Sequence, residues 1–176
     1  GEYVPLEERF PWLRKVTGMP GIYRPGTEAG LFPVGPEGVL VSPLICFEDA
    51  LPYLSRRAAR AGARVLLNQT NDGWFDGTSG PRQHLAQSVF RCVENRVPMV
   101  RCTNTGVTCL VDTLGDIHGA LPTPTETGKR VGRTAIYDVP VYAPQATPYL
   151  AAGPWFGRVT SWAVLAALVL QAAGAL

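Results

Sequence analysis

The chain has 176 residues, with 16 Lys+Arg against 14 Asp+Glu and a formal net charge of +2. That length suits one domain with a real core, and a balanced charge without a block of one sign leaves no electrostatic footprint for nucleic acid. The four cysteines, Cys46, Cys92, Cys102 and Cys109, form no C-x-x-C pair and have no histidine at ligand spacing, which argues against a zinc site and against a small disulfide scaffold.

Residues 1–37 are rich in Pro and Gly with aromatics between them, and read as ordered loops with one short helix near Leu6–Val16. The chain begins at Gly1 inside what reads as a structured segment, without an initiator Met or a signal-peptide pattern, so a piece of a longer protein is expected. Glu37–Cys46 is a predicted strand. Its apolar run from Val39 to Ile45 ends at Cys46 and gives way at once to Phe47-Glu48-Asp49. A buried strand that carries a thiol to its end and then turns into acidic, helix-starting residues can present a nucleophile. A packed, inert thiol is the competing reading, because free cysteines are mostly core residues.

Pro52–Ala63 is predicted helical, with Leu51, Leu54 and Ala58 on one face and Arg56, Arg57 and Arg60 on the other. Ala63–Asn68 is a second buried strand, followed by the loop from Gln69 to Gly77, in a position where loops commonly carry function. A helix is expected from Pro81 to Asn95, with Ser79 as its cap and Pro81 in the first turn. Pro98–Thr103 and Val107–Asp112 alternate as strands about an Asn104-Thr105-Gly106 turn, Leu114–His118 is a turn and strand start, and Thr134–Val139 is the last expected strand. The order strand, helix, strand, helix, strand, strand implies a layered α/β domain. Cys92, Cys102 and Cys109 are expected as free core thiols, although Cys102 and Cys109 fall on adjacent predicted strands, where a facing register would allow a disulfide. Val159–Leu176 is a run of about 18 residues without charge, near the ~20 that cross a bilayer, with Trp155, Phe156 and Trp162 where an interfacial aromatic belt would lie. It reads as a spanning helix, since it has no polar face to turn to water.

Six segments follow one another in order: Gly1-Glu-Tyr-Val-Pro-Leu-Glu, Ile45-Cys-Phe-Glu, Asn71-Asp-Gly-Trp-Phe, Gly80-Pro-Arg-Gln-His-Leu, Glu94-Asn-Arg-Val-Pro and Arg101-Cys-Thr-Asn-Thr-Gly. Together they resemble the apolipoprotein N-acyltransferases, bacterial inner-membrane enzymes with a nitrilase-like domain on a bundle of membrane helices. The central segments are shared with nitrilases generally. The opening segment, the Trp74 loop and the terminal apolar helix favour the acyltransferase. The resemblance implies a partial nitrilase-like α-β-β-α layered sandwich over residues 1–150, followed over residues 151–176 by a linker and one C-terminal transmembrane helix. It places the catalytic domain on the periplasmic side.

The superfamily uses a Cys nucleophile, a Glu base and a Lys that helps stabilise the tetrahedral intermediate. Cys46 matches the nucleophile. The matching Lys would lie shortly before Gly1 and the base Glu further upstream, so this chain alone is expected to be inactive. The implied reaction takes an acyl chain from a phospholipid onto Cys46 as a thioester. The α-amino group of a diacylglyceryl-cysteine on an apolipoprotein then attacks it. No cofactor or metal is called for.

Glu2 matches a second family glutamate near the active site, where it would orient the Lys or relay protons. Glu48 lines the pocket, caps the following helix with its charge, or does both. Phe47 stands where many members have Tyr. Trp74 and Phe75 form an apolar wall for lipid chains or, for Phe75 nearly as readily, plain core. Asn71 and Asp72 shape their turn. His84 makes a structural hydrogen bond, His118 is a turn residue, and Arg101, inside a strand, pairs with an acidic residue the sequence does not single out. Two alternatives stay open: an amidase using the same Cys, and a membrane-anchored remnant without catalysis.

Overall fold

Two strand–helix–strand crossovers set the architecture. In the computed structural model, which describes residues 6, 9–13, 26–129 and 131–174, β1 (Phe32–Val34), β2 (Val39–Ile45), β3 (Val65–Thr70), β4 (Met99–Thr103), β5 (Cys109–Val111) and β6 (Ile117–His118) form one sheet in sequential order. β2, β3 and β4 run parallel, while β1, β5 and β6 add antiparallel edges. Helix α1 (Pro52–Arg60) links β2 to β3, and α2 (Gly80–Asn95) links β3 to β4. Successive crossovers of one hand, stepping the same way along a sheet, put both helices on one face.

That face holds the core. Leu44, Leu66, Met99 and Val111 meet Ala58, Leu85 and Cys92 beneath the helices. The opposite face stays open among the described residues, with Ile45, Gln69 and Cys102 exposed in one row across β2, β3 and β4. One helix layer and one sheet layer, half of the expected sandwich, are therefore formed by the described residues.

Pro43 sits within β2 without breaking it. The Leu40 carbonyl faces β3, where it accepts the Arg64 N–H at 2.7 Å. By the two-residue alternation of a strand, the Pro43 nitrogen faces the other way, past the point where β1 ends opposite Val41.

Several expectations change. Thr134–Val139 forms no strand: the edge beside β5 is taken by β6, and Ile136 is 95% exposed with no ladder to join among the described residues. Cys102 is exposed rather than core, because its position in β4 faces the open side of the sheet. The Cys102–Cys109 pairing fails on register, since Cys109 stands opposite Arg101. Ser79 accepts the first helical bond through its backbone, from Gln83 N–H at 3.1 Å, and makes no side-chain cap. His118 lies in β6 and pairs with Asp112 at 2.8 Å. The helix expected near Leu6–Val16 falls mostly outside the described residues, as does Glu2 altogether.

Beyond β6, a short α3 (Pro124–Thr127) and a long irregular stretch lead to α4 (Pro148–Ala152) and α5 (Trp155–Ala172). Arg56 of α1 fastens α4 by donating to the carbonyls of Tyr149, Leu150 and Ala151 at 2.8–3.1 Å, a cation satisfying the last carbonyls of a helix. α5 has no buried residue and is long and apolar enough to cross a membrane.

Candidate functional site

The three parallel strands all end at the same edge of the sheet, the place where open α/β sheets bind ligands. Cys46 follows β2 directly, Thr70 closes β3 and Thr103 closes β4. Cys46 opens a 3-10 turn, Cys46–Ala50, with φ +52. A side chain in this left-handed region is uncommon and costs of order 1–3 kcal/mol, so the surroundings must hold it there. They do so through three bonds. The Asn68 amide donates to the carbonyls of Leu44 at 3.2 Å and Cys46 at 3.1 Å, on either side of Ile45. Glu48 folds back so that its carboxylate accepts the Ile45 N–H at 2.7 Å. The turn lifts the Cys46 side chain to partial exposure at the sheet edge.

The other cysteines on this face differ. Cys92 and Cys109 are buried, and burial pushes both thiols up, Cys109 to about 11. Neither can supply a thiolate near neutral pH.

Beneath Cys46 lies a fully buried charged cluster. His84 of α2 bonds Asp49 through Nε2 at 2.7 Å and Asp72 through Nδ1 at 2.8 Å. Arg101 of β4 pairs with the same two carboxylates, donating to Asp49 and to Asp72, the latter at 3.1 Å. Ser88 donates to Asp49 at 2.5 Å, and Arg101 donates to Asn68 Oδ1 at 3.0 Å. Burial alone would push the His84 imidazole down, but the hydrogen bonds to Asp49 and Asp72 outweigh it and lift it to about 9. Burial likewise works against the Asp72 carboxylate, yet the hydrogen bond from His84 and the Arg101 charge hold it below the usual range. With His84 protonated, two carboxylates face two cations and the cluster is neutral. That is the condition under which four ionised groups tolerate burial.

The cluster reaches the cysteine by two routes. Arg101 orients Asn68, which clamps the Cys46 turn. Thr70 Oγ1 lies 3.4 Å from both Cys46 Sγ and Asp72 Oδ1. On the outer side Phe47, 47% exposed, lays its ring against His84 with centroids 5.6 Å apart. The next loop, Asp72–Phe75, carries Trp74, 84% exposed, and Phe75, whose ring lies against Gly80 at the start of α2. Asn71 caps that loop by accepting from Gly73 N–H at 3.0 Å, and Asn104 ties it to β4 by accepting the Asp72 N–H at 3.0 Å. A cleft of about 380 Å³ opens beside it, with Thr103, Asn104, Lys129 and Arg133 in its wall.

Of the residues singled out in the sequence, Cys46, Phe47 and Glu48 share one turn, while Trp74 and Phe75 stand on the neighbouring loop. No hydrogen bond or ring contact joins that pair to Cys46 among the described residues. Asp72 does more than shape its turn, Arg101 has both its acidic partners, and His84 is the structural hydrogen-bonder expected, though as an ion. Sequence reasoning passed over Asp49, Asn68, Thr70 and Ser88. A signal existed for two of them: Asn68 and Thr70 share the inward parity of Leu66 in β3, so an otherwise apolar strand turns polar on its buried side at its end. No group of three or more His, Cys, Asp or Glu among the described residues has the arrangement to hold a metal ion.

A carbon-nitrogen hydrolase family model matches residues 8–149. The chain is 44% identical over 122 residues to the apolipoprotein N-acyltransferase of Geobacter metallireducens, covering 69% of this chain and 23% of that protein. It is 36% identical over 181 residues to that of Brucella melitensis, covering 98% and 30%. The chain thus spans between about a fifth and a third of the length of these relatives. Among solved structures, the amidase from Nesterenkonia sp. AN1 in complex with butyramide aligns with a TM-score of 0.49 and 21% identity, over 70% of this chain and 44% of that one.

Proposed function

We infer the activity from one premise: the chain belongs to the carbon-nitrogen hydrolase family. Within that family we propose that it is the nucleophile-bearing portion of an apolipoprotein N-acyltransferase, the name borne by its relatives. The observation that carries the reading is Cys46 itself. It is the thiol held on a left-handed turn at the end of a parallel strand, while Cys92 and Cys109 are packed away.

In the proposed reaction the Cys46 thiolate attacks an ester carbonyl of a membrane phospholipid. The sulfur–carbon bond forms, the ester carbon–oxygen bond breaks, and the lysolipid leaves as its alcohol. The amine of a diacylglyceryl-cysteine at the start of an apolipoprotein then attacks the thioester, and the thiolate is released. A thioester suits both halves, being reactive enough to acylate an amine. The base Glu and the Lys that this chemistry needs would come from sequence preceding Gly1 in a longer protein, and Glu2, by its match to a second family glutamate, would orient that Lys or relay protons.

The surroundings support a lipid donor. Phe47, Trp74 and Phe75 give exposed apolar surface next to the turn, against which an acyl chain can lie. Lys129 and Arg133, on the wall of the neighbouring cleft, give cations for the phosphate that such a donor also carries. Glu48, bonded to the Ile45 amide, lines the pocket chiefly by fixing the turn. α5 is the membrane span that keeps the site close to the bilayer, on the extracytoplasmic face of the bacterial inner membrane.

The test is Cys46→Ala in the full-length protein. Acyl transfer from phospholipid to a diacylated lipopeptide is expected to vanish, together with a hydroxylamine-labile fatty acyl group on the Cys46 peptide, while the thermal unfolding midpoint stays within about 2 °C. Undiminished transfer by the Ala variant overturns the assignment. Turnover of small amides without transfer from lipid would instead favour an amidase.

A further inference from the structure

Resting on Cys46 as the nucleophile, we propose that Thr70 is a second catalytic residue. Its hydroxyl hydrogen turns from the Cys46 sulfur to the Asp72 carboxylate when the thiolate becomes a thioester, and returns when the thiolate is released.

The geometry is fixed by the sheet. Thr70 is the last residue of β3, 8% exposed, and the adjacent pairs Ile45↔Gln69 and Thr70↔Thr103 lock its position against both parallel neighbours. Its Oγ1 lies 3.4 Å from Cys46 Sγ and 3.4 Å from Asp72 Oδ1. A hydroxyl has one hydrogen and serves one of these acceptors fully at a time. Asp72 does not depend on it, because His84 already bonds Oδ1 at 2.8 Å and Arg101 donates to Oδ2 at 3.1 Å. The sulfur does depend on it: among the described residues no other side chain donates to Sγ. A thiolate is a strong acceptor and a thioester sulfur a weak one, so the hydrogen follows the charge.

No bond at Thr70 forms or breaks. The hydrogen moves by rotation about Cβ–Oγ1, and Asp72 receives it whenever the sulfur has no charge to offer. In the first half-reaction the upstream Glu takes the Cys46 proton, the Sγ–C bond forms, the donor's C–O bond breaks, and the leaving oxygen receives that proton from the Glu. In the second, the N–C bond forms, the amine gives up a proton to the same Glu, the S–C bond breaks, and the departing thiolate recovers the Thr70 hydrogen bond. Thr70 therefore stabilises the thiolate before it attacks and again as it leaves.

The experiment measures iodoacetamide alkylation of Cys46 at pH 7, by peptide mass, on full-length protein in detergent. Thr70→Val keeps the shape and removes the hydroxyl, and is expected to alkylate about five- to tenfold more slowly, the sulfur anion having lost its side-chain hydrogen-bond donor. Thr70→Ser is expected to recover the wild-type rate within about twofold, a rescue that a purely structural role for the side chain would not produce. Alkylation of Thr70→Val at the wild-type rate, or a Ser variant as slow as the Val variant, overturns the proposal. Should Thr70→Val show no cooperative melting, Thr70→Ala takes its place under the same two criteria. The same preparations are assayed for a hydroxylamine-labile adduct from phospholipid. An adduct with Thr70-independent alkylation removes the role of Thr70 alone. Thr70-dependent alkylation without an adduct leaves that role standing and removes the acyl-donor reading instead.

Discussion

A left-handed cysteine between a strand and a 3-10 turn is an arrangement whose strain must be met locally, and the meeting point is the charged cluster under it. Neutrality of Asp49, Asp72, Arg101 and His84 requires a protonated imidazole, and His84 is raised from 6.5 to about 9. A raised folded-state value means stability that is complete below about pH 6.5 and lost as pH climbs through 9. Asp72 runs the other way: its lowered carboxyl gives stability present above its ordinary 3.8 and lost as pH falls through its folded value. The protein should therefore be most stable between about pH 4 and pH 6.5. Thermal unfolding at pH 6 and pH 9.5 is expected to show a loss of roughly 2–3 kcal/mol at the higher value. His84→Gln should be less stable at both and should flatten the difference, because it leaves one net negative charge buried whatever the pH. A wild-type midpoint unchanged from pH 6.5 to 9.5 would show the imidazole to be neutral in the fold.

The 3-10 turn, β3 and the Asp72 loop act together as elements, and Gly106 is where their fit is tightest. A methyl group there would fall 1.9 Å from Asp72 Oδ2. The carboxylate cannot yield, since Arg101 and His84 hold both of its oxygens. Gly106→Ala is expected to cost at least the ~1–3 kcal/mol of overpacking and to lower the unfolding midpoint accordingly. Gly132→Ala, with nothing within 4 Å of the added carbon, should leave it unchanged.

These elements also show what the sequence makes legible. β2, α1, β3, α2 and β4 are apparent from apolar runs bounded by Pro and Gly, and Cys46 is apparent from its place at the end of such a run. The partners Asp49, Asp72, His84 and Arg101 come from four separate segments, and only the parallel register of β2, β3 and β4 stacks them, so no local pattern could announce the cluster. Thr134–Val139 has the alternation of a strand, but pairing also needs a free edge, and alternation says nothing about edges. Cys102 illustrates the reverse: its strand is correctly placed, yet which face it occupies depends on which side the helices cover.

At the scale of the whole molecule, the site and the apolar helix are joined through α4. Arg56 holds three of its carbonyls, and Thr147 donates to the Glu94 carbonyl at 2.5 Å, so the start of α5 is tied to the outer helices α1 and α2. α5 has 18 residues, about 27 Å of helix at 1.5 Å per residue, close to the ~30 Å of a bilayer's hydrocarbon core. Its aromatic residues Trp155 and Phe156 cluster at the end nearest the domain, and Arg158 is close enough to that end for its charge to reach the interface. A core helix of a soluble domain would be covered, and this one is bare along its length. Paired substitutions Leu165→Arg and Leu168→Arg near its middle should each oppose insertion by about 2.5–3.5 kcal/mol. Expressed in bacterial cells as residues 1–176, the wild-type chain is expected to float with membranes in a sucrose gradient after carbonate extraction, and the doubly substituted chain to stay at the bottom. A wild-type chain that stays at the bottom as well would mean that α5 does not span, and that its bare surface is covered by protein instead.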